Sequence, residues 1–321
     1  MQQVIEIINN LIHSAFLSIV PLLIVAMGAL VCERSGVTNI ALDGIMLMGA
    51  FIGFVIISSL EKVMPASSAQ LIYIIGIIGA MIIGGLYSLL HAYAAINLKA
   101  NQIISATALN LFAPAVIGFL LLSTLTGGDL IRVEYHYLIR EIPVLSKIPI
   151  IGPLLFKNVS IGLYIAIIVF ITVTIFLYKT KHGFRLRACG ENPHAADSLG
   201  INIFKYRYFG VFVSGVLGGL GGILFTMHNI GTFQSFNATA GFGFLALAVL
   251  IFGAWRPYRV LFAASFFGLM RAIASTFVTP AIPKQLFDMF PYVITLVVLA
   301  LYSKSAVGPK AVGEIYDKGR R

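Results

Sequence analysis

The chain has 321 residues, 59% of them hydrophobic and only 11% charged, with a mean hydropathy of +0.96. That composition excludes a soluble globular domain and points to an integral membrane protein. The net charge of +10 then concerns orientation across a membrane and calls for no nucleic-acid partner.

The amino terminus, Met1-Gln2-Gln3, lacks the basic start of a secretory signal, so the first apolar run is expected to be retained. Residues 3–10 read as an amphipathic lead-in on the membrane surface and 11–31 as the first span. A polar, glycine-punctuated stretch from Cys32 through Glu33, Gly36, Asn39 and Asp43 to Gly44 follows. The next apolar run, 45–60, is short against the ~18–20 residues of a straight crossing. Short, glycine-interrupted segments are where transporters place broken helices and binding sites; a simple cytoplasmic turn is the other reading. The third span, 72–96, carries Gly76, Gly79, Ala80, Gly84 and Gly85, a face that lets helix backbones approach closely.

The fourth span opens at Asn101 and runs to about residue 123. Asn101, Ser105, Thr107 and Asn110 largely follow helical spacing, a polar stripe that either bonds neighbouring helices or lines a path. Residues 124–160 form the longest polar interval, with Pro143, Pro149 and Pro153; they are expected outside, where a binding protein docks. The fifth span is 161–178.

The polar loop 179–207 carries the clearest helix signature. Asn192 suits a cap, Pro193 the first helical position and Gly200 a left-handed stop, with about two turns of helix between them. Lys179, Lys181, Arg185, Arg187, Lys205 and Arg207 flank it, so the loop faces the cytoplasm. A short capped helix there is either a docking element or an ordinary basic loop. In the sixth span, 208–229, Ser214, Gly218 and Gly222 make a close-packing face. These glycines interrupt a membrane span and so are no dinucleotide fingerprint. Residues 231–240 are polar, outside or dipping inward; 241–253 is again short, and 260–278 and 286–302 complete nine spans. Arg271 lies inside the eighth, where it must meet a partner or water, or snorkel to the surface. Lys62, Arg132, Arg140, Lys147, Lys157 and Lys284 fall outside in this layout and the other basic residues, Arg271 aside, inside. The expected fold is therefore all-α, with about nine transmembrane helices including broken segments, the N-terminus outside and the C-terminus cytoplasmic.

No phosphate-loop motif is present, so the chain is not expected to hydrolyse ATP itself, and no metal-ligand spacing appears. Cys32 and Cys189 both fall on the inner side, where disulfides are disfavoured, and read as inert thiols. A membrane enzyme is thereby disfavoured. A stand-alone secondary transporter also uses broken helices but has no need of a cytoplasmic socket helix.

Four blocks of residues resemble the permease subunits of bacterial ABC importers in the ribose, branched-chain amino acid and nucleoside group. The first is Arg187-x-x-Gly190-x-Asn192-Pro193-x-Ala195-Ala196-x-x-x-Gly200-Ile201. It resembles the loop that couples such permeases to their ATPase, and implies coupling roles for Arg187, Gly190, Glu191, Asn192, Pro193, Ala195, Ala196, Asp197 and Gly200. Glu33-Arg34-Ser35-Gly36-Val37-x-Asn39-Ile40-x-Leu42-x-Gly44, Asn101-x-Ile103-Ile104-Ser105-x-x-Ala108-Leu109-Asn110 and Gly241-Phe242-x-x-Leu245-Ala246 with Phe252-Gly253-x-Trp255-x-Pro257 are similar to the nucleoside branch. Gln102 departs from that pattern, since relatives commonly carry an acid there.

The resemblance implies a single permease domain over 1–321, with a coupling loop at 179–207 and an extracytoplasmic loop at 124–160. It implies a nucleoside path lined by Asn39, Asp43, Asn101, Ser105 and Asn110; Phe242 is placed either to stack on a base or to pack against neighbouring helices. The implied partners are an ABC ATPase that binds ATP and Mg, a second and non-identical permease, and an extracytoplasmic binding lipoprotein, at the bacterial cytoplasmic membrane. A simple sugar is the alternative substrate.

Overall fold

The computed structural model describes residues 2–125, 130–135, 137–141, 146, 151–229, 231–234, 238–239, 241–276, 289, 293 and 308–318. Helix α1 (Gln2–Arg34) is unbroken, so the expected lead-in forms the first turns of the helix that continues into the first span. Helix α2 (Leu42–Glu61) has 20 residues rather than 16, because Leu42, Asp43 and Gly44 join it as its first turn and Glu61 extends its end. It is therefore long enough to cross, and the unwound part is confined to residues 35–41. Helix α3 (Ala69–Ala92) continues as a π-helical turn, Tyr93–Asn97, and α4 (Gln102–Leu120) as another, Leu121–Leu125.

Beyond α4 the long polar interval contains short regular elements. Strand β1 (Leu130–Arg132) precedes β2 (Ile139–Glu141), helix α5 (Ile151–Phe156) and strand β3 (Lys157–Val159), which pairs antiparallel with β2. Helix α6 (Ile161–Lys179) leads into α7 (Lys181–Glu191), α8 (Pro193–Ser198) and α9 (Ile203–Asn229). Strand β4 (Thr232–Gln234) pairs with β1, which puts residues 232–234 on the same side as the 130–132 segment. Helices α10 (Phe242–Phe252) and α11 (Pro257–Thr276) follow.

Seven helices among the described residues are long and apolar enough to cross a membrane, and α10, at 11 residues, is too short to do so alone. The expected ninth span, 286–302, lies outside the described residues except for 289 and 293. Helices α1 and α9 are largely buried, whereas α4 and α6 leave most of their apolar surface uncovered.

Helix α9 is the centre of the bundle because glycine lets its neighbours reach its backbone. A Cβ on Gly219 would collide with the Ala80 carbonyl oxygen of α3, and one on Gly222 with the Met46 carbonyl oxygen of α2. The expected Ser214, Gly218 and Gly222 face is thus a packing face, set against Leu42, Ile45 and Met46. On the opposite end of α2, Glu61 accepts from the Glu134 and Tyr135 backbone N–H groups and from the Tyr137 hydroxyl, which ties the 130–137 segment down. Burial and this carboxylate hold the Tyr137 hydroxyl well above the usual phenol range.

Candidate coupling site and membrane path

The segment 179–207, expected as a loop with one helix, holds two. Thr180 Oγ1 accepts from Gly183 N at 3.0 Å and caps α7. Gly183 and Gly190 sit inside that helix where a side chain cannot go. A Cβ at either would strike a backbone carbonyl, of Phe176 and of Arg34 respectively. Asn192 (φ −151°, ψ 94°) breaks the helix, and its Oδ1 accepts from Ala195 N at 3.0 Å to cap α8. Pro193 occupies the first turn, and Gly200 adopts the left-handed stop at φ +77°. Asn202 then caps α9 through Lys205 N at 3.0 Å.

Helix α8 presents His194, Ala195 and Ser198 outward, continued by Leu199, which is 81% exposed. Pro193 and Ala196 turn inward. Ala196, expected to press into a partner, is 3% exposed and packs with Cys189, Ile203 and Tyr316 of its own chain. Asp197 is partly exposed. Arg187 lies over the Tyr178 and Phe184 rings at 4.6 and 4.8 Å, which anchors the start of the motif by cation–π contact. Arg207, expected among the solvated flanking bases, is instead buried, with Nη1 donating to the Glu314 carbonyl at 2.9 Å. Burial pushes the Cys189 thiol up to about 11.

Three of the motif blocks meet beneath this element. Arg34 pairs with Glu191 at 3.4 Å and donates through Nη2 to the Trp255 carbonyl at 2.8 Å. Glu33 Oε2 accepts from Trp255 Nε1 at 2.6 Å. Ala254 and Trp255 both have positive φ, 46° and 52°, a conformation rare outside glycine and costly for a bulky residue. The chain bends sharply there between α10 and α11 and aims the indole at Glu33. Glu33, Arg34, Glu191 and Trp255 each lay within a motif block, but their pairing across 157 to 222 residues had no sequence signal.

The expected path residues divide. Asn39, Asp43 and Asn110 gather at the start of α2. Asn110 Oδ1 accepts from Gly44 N at 2.8 Å and its Nδ2 donates to the Ile40 carbonyl at 2.9 Å. Asp43 Oδ1 accepts from Gly243 N at 3.0 Å, so a carboxylate of α2 caps the first turn of α10. Asn39 is fully buried between Ser214 Oγ, to which it donates, and Ala41 N. Ser105 lies further along α4, 3.2 Å from His91 Nδ1, and Asn101 is exposed as the cap of α4. Asn39 and Asn110 thus hold the unwound segment to its neighbours. Gln102 and His91 do the same work and were not foreseen: Gln102 Oε1 accepts from Thr38 N at 2.8 Å, and His91 Nε2 is 2.9 Å from the Thr38 carbonyl. An acceptor is what that position needs, which an amide and an acid share.

Phe242 is buried and already stacked, on Phe225 at 4.0 Å, so packing is its fate rather than an open platform for a base. Arg271 lies over the same pair, 5.0 Å from the Phe242 ring and 5.1 Å from that of Phe225. A cation held against two aromatic faces helps this helix accommodate an arginine within its apolar stretch.

Residues 11–299 match the family described as branched-chain amino acid transport system, permease component. The chain belongs to that family. It is a multi-pass permease of the cytoplasmic membrane, a transport component rather than an enzyme. The permease is 39% identical to the nucleoside ABC transporter permease protein NupC of Lactococcus lactis subsp. cremoris, over 97% of this chain and 96% of the relative. It is 34% identical to the guanosine ABC transporter permease protein NupQ of Bacillus subtilis, over 99% of each. It is also 25% identical to NupB, another nucleoside ABC transporter permease protein of the same Lactococcus, over 91% of this chain and 79% of the relative. No solved structure gives a significant match to the permease.

Proposed function

We propose that this permease forms part of the path by which nucleosides enter a bacterial cell through an ATP-driven importer. The observation that carries this is α8, a helix closed by caps at both ends that offers small and apolar side chains, Ala195 and Leu199, to a partner. An exposed element this short is marginal by itself and gains its order from neighbours. It suits the cleft of an ATPase subunit, which would bind ATP and Mg. The nucleoside names of the full-length relatives support the substrate class.

In this reading the whole chain is one permease domain of nine spans. Its C-terminus and α8 face the cytoplasm, and its N-terminus and the 124–160 segment face outward to an extracytoplasmic binding lipoprotein. The match to two different permeases of one organism supports pairing with a second, non-identical permease. Asn39, Asp43, Asn101, Ser105 and Asn110 shape the path: Asn39 and Asn110 fix the unwound segment 35–41, Ser105 lies against His91, Asp43 and Asn101 cap α10 and α4, and Phe242 packs beside them.

The test is to purify the assembled importer in lipid and measure ATP hydrolysis and uptake against a panel of nucleosides and simple sugars. Stimulation and uptake are expected with nucleosides. A response to sugars alone would move the substrate class, and uptake without any ATPase subunit would make the protein a secondary transporter.

A further inference from the structure

The carboxy-terminal residues, which the sequence shows only as a basic tail, cross the face that carries α8. Ala311 N donates to the Gly190 carbonyl at 2.9 Å and Gly313 N to the Gly36 carbonyl at 3.3 Å. The Glu314 carbonyl accepts from Arg207 at 2.9 Å, and Asp317 pairs with Lys99 at 3.1 Å. Within 11 residues the segment 308–318 therefore touches the end of α7, the turn after α1, the start of α9 and the residues beyond α3.

Tyr316 is its inward anchor. The ring is 5% exposed, 5.3 Å from the His194 ring and 5.8 Å from that of Phe204, with Arg207 6.0 Å above it. Those two partners lie on opposite sides of Gly200, His194 on α8 and Phe204 on α9. The Gly200 joint is open: nothing stands within 4 Å of where a Cβ would be, and its left-handed backbone suits glycine. A push on α8 carried through that joint alone would bend it. The tyrosine bridges the bend.

We propose that segment 308–318 is a strap that locks α8 to α9 across the Gly200 joint, with Tyr316 as its positioning residue, so that movement imposed on α8 reaches α9. This rests on the reading of α8 as the element on which the ATPase docks. The strap adds the connection between that element and the membrane. The contacts at Gly190 and Gly36 join α7 and the unwound segment to the same unit, so the four parts shift together. Tyr316 covers the inward side of α8, at Ala196, and leaves the outward side, at Ala195 and Leu199, free to dock.

The experiment uses the assembled importer in nanodiscs and vesicles, with spin labels at Ser198 and Lys205, exposed positions on either side of the joint. In Tyr316→Ala the ATPase subunit is expected to remain bound, the label distance distribution to broaden, and uptake of radiolabelled guanosine or uridine per ATP hydrolysed to fall tenfold or more. Tyr316→Phe keeps the ring and is expected to behave as the unaltered protein. Should Tyr316→Ala fail to reach the membrane, Tyr316→Leu is read by the same criteria. An unchanged distance distribution or unchanged uptake per ATP overturns the strap. Loss of the ATPase subunit from Tyr316→Ala also overturns it, by making the segment part of the docking surface. Ala195→Trp is run in parallel: if it keeps the ATPase subunit and transports normally, the docking reading of α8 falls and the strap with it. If Ala195→Trp loses the subunit while Tyr316→Ala is normal, the strap alone falls.

Discussion

The indole N–H of Trp255 donates to Glu33 at 2.6 Å, joining the end of α1 to the turn between α10 and α11. Glu33 is buried, so its carboxyl depends on that partner. Trp255→Phe leaves the acceptor without this donor and is expected to cost about 1–3 kcal/mol. Thermal unfolding of the purified protein measures it. Glu33→Gln retains an acceptor oxygen and should lose less. Because Trp255 is the only tryptophan, its emission in Glu33→Gln reports the same contact directly. Unchanged melting in Trp255→Phe would show the bond to be of no consequence.

Orientation follows from two exposed positions. Val63, between α2 and α3, is 82% exposed, and Ser198 closes α8. Val63→Cys is expected to react with an impermeant thiol reagent in intact cells and Ser198→Cys only after the membrane is opened. The opposite pattern inverts the topology. The native cysteines do not interfere, since both are buried. With its thiol raised from 9.0 to about 11, Cys189 carries roughly 100-fold less thiolate than an ordinary cysteine at neutral pH. The sign is that labelling of Cys189 rises only as pH climbs toward 11, and unfolding at fixed pH should release it.

Asn110 tests the unwound segment. Its amide serves Gly44 N and the Ile40 carbonyl at once, so Asn110→Ala strands two backbone groups at a cost of about 1–3 kcal/mol each. Uptake should fall by an order of magnitude. Asn101→Ala removes an exposed cap, costs about 1 kcal/mol, and should leave most uptake intact. Equal effects from the two substitutions would deny Asn110 any special role.

At Gly200 the argument concerns backbone alone. Gly200→Val meets no neighbour, but forces a β-branched residue to φ +77°, at a cost of at least about 1–2 kcal/mol. The expected result is loss of transport with normal membrane insertion. Gly200→Asn, which tolerates the left-handed region better, should recover much of it. Failure of Gly200→Asn to do better than Gly200→Val would remove backbone strain as the cause.

Legibility in the sequence followed the range of the interaction. Asn192, Pro193 and Gly200 were readable because a cap and a stop act within a few residues. Helix α7 was not, since Gly183 and Gly190 look like breakers at about 1 kcal/mol each. They are tolerated because the Phe176 and Arg34 carbonyls lie where side chains would be. Ala196 faces inward against Cys189, Ile203 and the distant Tyr316, contacts that depend on how α7, α8 and α9 fold together, so Ala195 and Ala196 were indistinguishable beforehand. Asn39, Asp43 and Asn110 lie together at the start of α2, but their partners are mostly backbone groups outside their own motif blocks, which no residue pattern displays.

The glycine seam between α3 and α9 has a further consequence, for where a solute cannot go. At Gly84, Gly215 and Gly219 the two backbones leave no room for one methyl group, so neither water nor a purine can be threaded between them. Gly219→Ala should therefore prise the bundle apart, at about 1–3 kcal/mol or more, read as lost expression or a lower melting temperature. A conduit cannot follow this seam. In the proposed reading the conduit takes the side where the unwound segment 35–41 meets α4 and the short α10.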